Sequence, residues 1–160
     1  MSVFQYPDNY KVCFAGVPVS DLVARMGYST DSYRELFSAD YHIGKTVRED
    51  VEEYRRRSPI WHVDKLNTPL LIHTNTNDDD VHVLEVESLI RALKAADKKF
   101  EYEIFKDIPG GHSFDRIDLR QSREIRLRIW SFLAKHLRPP SPLKNLYDME
   151  KAAYVPATNY

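Results

Sequence analysis

Pro69-Leu70-Leu71-Ile72-His73-Thr74, then Asp78-Asp79-Asp80-Val81, then Phe100-Glu101-Tyr102-Glu103-Ile104-Phe105, then Gly110-Gly111-His112-Ser113-Phe114: this central stretch decides how the chain is read. The apolar run after Pro69 is short and continuous, the pattern of a strand buried on both faces. Between the acidic turn and Phe100, Val83, Val86, Ile90 and Leu93 recur at helical spacing, with Glu87, Arg91 and Lys94 between them. That pattern predicts an amphipathic helix with one core face. Phe100, Tyr102 and Ile104 alternate with Glu101 and Glu103, which predicts another strand. Strand, helix, strand at this spacing implies a βαβ unit and a parallel sheet, in which ligands bind beyond the carboxyl ends of the strands. The acidic turn and the Gly-Gly-His turn both fall on that edge.

Upstream, Val12 to Val17 is a further continuous apolar run, closed by Gly16 and Pro18, and reads as a strand buried on both faces. Ser20 to Phe37 is mixed and predicts loop with one or two short helices. Thr46 to Arg57 predicts a charged surface helix ending before Ser58-Pro59. Downstream, Ile125, Ile129 and Leu133 sit four apart, so Leu119 to Leu137 predicts a well-buried helix, flanked by Trp130 and Leu137 and stopped by Pro139-Pro140. Residues 1–138 read as one domain, and 139–160 as a polar tail over its surface. The fold class is α/β, with parallel strands flanked by helices.

Composition narrows the function. The chain has 160 residues, 42% hydrophobic and 29% charged, with a net charge of −1. That balance suits one globular domain and gives no electrostatic reason to expect nucleic acid or an anionic membrane as partner. No apolar stretch approaches the roughly 18 residues of a spanning helix. Cys13 is the single cysteine and reads as a small core hydrophobe, so neither a disulfide nor a cysteine metal site is expected.

An acid after one strand and a histidine after the next supply two members of a Ser–Asp–His triad, in the chain order of α/β-hydrolases. The histidine takes and returns the serine proton, and the acid fixes its tautomer. Gly110 and Gly111 permit the tight turn that presents His112. Asp78, Asp79 and Asp80 are all candidates for the acid, against a plain reading as a solvated turn capping the next helix. Asn75, Asn77 and Asp79 have the alternate spacing of a calcium loop. The template fails, because Asp80 stands where it needs Gly and Val86 where it needs Glu. His73 and His82 flank the turn without a metal-ligand spacing, and no metal or cofactor is expected. Tyr28, Tyr33 and Tyr41 read equally well as pocket lining or as packing.

From about Tyr6 to Leu137 the chain resembles the C-terminal half of the catalytic domain of the prolyl oligopeptidase family of serine peptidases. The matching segments are Tyr6-Pro7-Asp8, Phe14-Ala15-Gly16-Val17-Pro18-Val19-Ser20-Asp21, Ser58-Pro59, Pro69-Leu70-Leu71-Ile72-His73, Asp78-Asp79-Asp80-Val81-His82 and Gly111-His112. The resemblance implies a partial α/β-hydrolase fold and a peptide substrate. It assigns the acid to Asp78, three residues before the valine that opens the following helix, and the base to His112. It places the apolar specificity pocket at Val19, Leu22 and Val81, with Leu22 departing from the family's usual aromatics. Gly-x-Ser-x-Gly, which would hold the nucleophile, occurs nowhere in the 160 residues. The resemblance implies that it lies upstream, with Met1 to Gln5 as the tail of its helix, so the chain is expected to be a fragment inactive on its own. A non-catalytic remnant that associates through an exposed sheet edge, or self-associates, and an α/β-hydrolase esterase are the alternatives.

Overall fold

The computed structural model describes residues 1–152. Three strands, β1 (Cys13–Gly16), β2 (Leu70–Asn75) and β3 (Glu101–Phe105), form one parallel sheet in the order β1-β2-β3. Cys13 pairs with Leu70 and Gly16 with His73 on one side of β2; Leu71 pairs with Glu101 and Asn75 with Phe105 on the other. All six residues of β2 are buried, as a central parallel strand requires.

β1 departs from expectation. Its four residues are only half-buried, because it is an edge of the sheet and one side has no neighbouring strand among the described residues. β3, the other edge, buries Phe105 but leaves Tyr102 exposed.

The helices are α1 (Ser2–Gln5), α2 (Leu22–Tyr28), α3 (Asp31–Ser38), α4 (Val51–Arg56), α5 (Val83–Ala95), α6 (Arg120–Leu137) and α7 (Leu146–Lys151). On one face of the sheet, α5 buries Val86, Leu89, Ile90 and Leu93 against Ile72 and Leu70, together with Val3 and Phe4 of α1. On the other face, α6 buries Ile125, Ile129 and Phe132 against Leu71, Phe105 and Phe114. The expectation of a well-buried α6 holds for that stripe alone: Trp130 and Leu137 are exposed.

A third, smaller core joins α2 to α4 through Leu22, Met26 and Tyr54. Tyr54 is wholly buried inside a helix that its charged neighbours suggest is all surface, and its hydroxyl donates to the Lys45 carbonyl at 2.9 Å. The helical part of that segment is also shorter than expected, because Asp50 accepts from the Glu53 N–H and so starts the helix at Val51. Beyond Pro139-Pro140, α7 buries Met149. The expected tail also includes residues 153–160, which lie outside the described residues.

Candidate active site

β2 and β3 are parallel neighbours, so the loops leaving them start at one height and can reach each other. Side chains of the first loop stitch it to the second. The Asn75 amide donates to the Ile108 carbonyl at 2.8 Å and accepts from the Ile108 N–H at 3.1 Å. Thr76 Oγ1 accepts from the Asp107 N–H at 2.9 Å and meets Asp107 Oδ1 at the same distance, and Asn77 Nδ2 donates to the Ile108 carbonyl at 3.2 Å. The Asn-Thr-Asn run is therefore a clasp. Its polar residues at a buried strand end were the available signal, although their alternate spacing suggested only a calcium loop.

The clasp brings Asp78 and His112 together. His112 Nδ1 lies 3.1 Å from both carboxylate oxygens of Asp78. Asp78 Oδ1 also accepts from the N–H groups of Asp80 and Val81, both at 2.9 Å, so the carboxylate is held from behind while it faces the imidazole. Its side chain is fully buried, whereas that of His112 keeps 29% of its surface exposed. One ring nitrogen is thus committed and the ring remains open to approach, the arrangement an acid–base histidine needs.

Of the two glycines before His112, Gly110 is the more tightly constrained. Gly110 has φ of +106°, and a Cβ there would meet the Phe114 Cα at 3.0 Å and Ile117 Cδ1 at 2.9 Å. Gly111 has φ of +51°, and its Cβ would lie 3.2 Å from Asp79 Oδ1. Asp79 thus lies beside the Gly111 backbone. Phe114, 1% exposed, anchors the far end of the turn, and its carbonyl accepts from Ser122 Oγ of α6 at 2.6 Å.

Asp80 turns to the opposite edge of the imidazole, with Oδ2 3.7 Å from His112 Nε2. Its other oxygen accepts from Arg25 Nη2 at 2.6 Å. Arg25 on α2 and Glu85 on α5 are buried charged residues that pattern reading passes over, since each stands among apolar positions on an amphipathic helix. Glu85 Oε1 accepts from the N–H groups of Ser20 at 2.5 Å and Asp21 at 2.9 Å, and Oε2 accepts from the Tyr28 hydroxyl. Burial, and then the bond to Glu85, pushes the Tyr28 phenol up to about 12. Burial works against the charge of Arg25, but hydrogen bonds to Tyr33 and Asp80 outweigh it, so the guanidinium is held more firmly protonated than usual.

The other candidates have different surroundings. Leu22 and Val81 are closed into different cores, and half-buried Val19 packs against both. Tyr28 and Tyr33 flank Arg25, while Tyr41 is exposed. His82 Nδ1 caps α5, accepting from the Leu84 N–H at 3.3 Å, and His73 lies in the core. Among the described residues no three His, Cys, Asp or Glu side chains converge as a metal-binding set.

A parallel sheet with helices on both faces is the architecture of α/β-hydrolase peptidases. In this case the agreement extends to sequence: the chain belongs to the prolyl oligopeptidase family, whose model matches residues 1–139. It is 26% identical over 131 residues to the acylamino-acid-releasing enzyme of Arabidopsis thaliana, covering 79% of this chain and 17% of that protein. It is 28% identical over 131 residues to the uncharacterized peptidase YuxL of Bacillus subtilis strain 168, covering 81% of this chain and 19% of that protein. The chain thus spans less than a fifth of the length of these curated relatives. Among solved structures, the dipeptidyl peptidase 4 of Porphyromonas gingivalis superposes with a TM-score of 0.65 at 24% identity, over 79% of this chain and 16% of that one.

Proposed function

We propose that Asp78 and His112 are the acid and base of a Ser–Asp–His triad that hydrolyses peptide bonds. The observation that carries this reading is the contact of both Asp78 oxygens with His112 Nδ1 at 3.1 Å, at the carboxyl ends of adjacent parallel strands. The names of the relatives support peptides as the substrate class. In the reaction, a serine hydroxyl gives its proton to His112 Nε2 as its oxygen attacks the peptide carbonyl. His112 then gives that proton to the leaving amine, and water repeats the cycle on the acyl-enzyme. Asp78 holds the Nδ1–H tautomer and stabilises the imidazolium that forms between the two transfers. The assignment rests on this pair and names no pocket wall.

The 160 residues contain no Gly-x-Ser-x-Gly elbow. On this reading the chain by itself does not carry out the covalent step. Treating the purified chain with a fluorophosphonate probe and mapping adducts by mass spectrometry tests it. No serine is expected to label above a heat-denatured control; one serine labelling selectively in the folded chain overturns the claim.

A further inference from the structure

His112 lies between two carboxylates, and only one serves the proposed acid–base role. Asp78 holds Nδ1, while Asp80, half-exposed at 48%, stands 3.7 Å from Nε2, the nitrogen that must stay open to a hydroxyl. A free carboxylate there would pair with the imidazolium and occupy that nitrogen. The structure sets a cation against it. Arg25, 1% exposed, gives Nη2 to Asp80 Oδ1 at 2.6 Å and Nη1 to the Asp80 carbonyl at 3.2 Å. Tyr28 and Tyr33 fix the guanidinium in turn, through hydroxyls at 3.1 and 3.0 Å, and Glu85 Oε2 stands 3.8 Å behind it. Burying a guanidinium this deeply carries a desolvation cost, offset here by its hydrogen bonds to Asp80, Tyr28 and Tyr33 and by the nearby Glu85.

We propose that Arg25 is a positioning residue that draws the Asp80 carboxylate away from His112 Nε2 and cancels its charge, leaving that nitrogen free to exchange a proton with the nucleophile. The inference rests on the reading of Asp78 and His112 as the acid–base pair. The charged groups around His112 are accounted for. Asp78 faces Nδ1, and Asp80 with its Arg25 faces Nε2. Asp79 lies against Gly111, and Asp115 pairs with Arg116 at 3.6 Å.

The test is a pH titration of the full chain, labelled with 15N and 13C, following the His112 imidazole and the side-chain carboxyls of Asp78 and Asp80 by NMR. In the wild type, the Asp78 carboxyl signal should move as His112 titrates while that of Asp80 stays nearly still. In Arg25→Met, Asp80 is released, and the His112 midpoint should rise by about one pH unit, the scale of one added charge at this distance. The double variant Arg25→Met/Asp80→Asn should return to within about 0.3 unit of the wild type. Merely loosened packing would not be reversed by removing the Asp80 charge. The proposal is overturned if Arg25→Met leaves the midpoint unmoved, or if the double variant keeps the shift. Should Arg25→Met fail to fold, the wild-type carboxyls decide, and Asp80 following His112 as strongly as Asp78 does sinks it. Failure of the underlying pair is seen separately, as an Asp78 carboxyl that ignores His112.

Discussion

His73 sits in the middle of the sheet, edge-on between Phe14 and Phe105 at ring separations of 5.3 and 5.1 Å, with no hydrogen-bond partner for Nδ1 among the described residues. Burial lowers its pKa from 6.5 to about 4. The unfolded chain therefore binds a proton below about pH 6.5 that the folded chain refuses until about pH 4. Stability tied to neutral His73 is fully present above pH 6.5 and falls as the pH drops through that window, by up to about 3 kcal/mol. Urea unfolding at pH 7 and at pH 4.5 should show the wild type losing more stability than His73→Leu; equal losses would refute this. The same residue marks the limit of reading at this scale. The buried strand that carries it was legible, but the aromatic rings of Phe14 and Phe105 that enclose it come from the two neighbouring strands. Asp78 and His112 were legible because loop position and family pattern agree on them. Arg25 and Glu85 were not, because a buried charge looks like a surface charge until its partners are known, and Asp80 lies 55 residues from Arg25 and Ser20 65 from Glu85.

At the scale of elements, the turn that carries His112 depends on backbone freedom. Gly110→Ala places a methyl against the Phe114 backbone at a φ that L-residues avoid, and should cost at least about 2 kcal/mol. Gly27, inside α2, has nothing within 4 Å of where a methyl would go, so Gly27→Ala should be neutral or stabilise by up to about 1 kcal/mol. Urea midpoints of the two variants check the contrast, and similar values would show that the turn tolerates side chains. Helix α5 and strands β2 and β3 were readable because periodicity and burial agree there. β1 was misread in burial, since an apolar run does not say whether the strand lies inside the sheet or at its edge. Tyr54 was hidden because it stands inside Glu52-Glu53-Tyr54-Arg55-Arg56-Arg57, with Val51 three residues before it as a weak periodic signal.

For the molecule as a whole, stability is unevenly spread. β2 is covered on both faces, while α3 buries none of its residues fully and meets the small third core through half-buried Tyr33 and Phe37. Amide hydrogen exchange should therefore run at least about a hundredfold faster across Asp31–Ser38 than across Leu71–Thr74, and comparable protection would contradict this. The parallel α/β layering was legible from the order of patterns alone; the separate α2–α4 core was not, because the contacts that build it cross loops of mixed composition. One further consequence concerns inheritance. Asp78 and His112 stand 34 residues apart, and the Asn75 clasp, helix α5, strand β3 and the glycine turn all lie on the one continuous segment from Asn75 to Phe114. A rearrangement that moves this segment intact carries both residues with their scaffold, whereas a break between them parts the acid from the histidine.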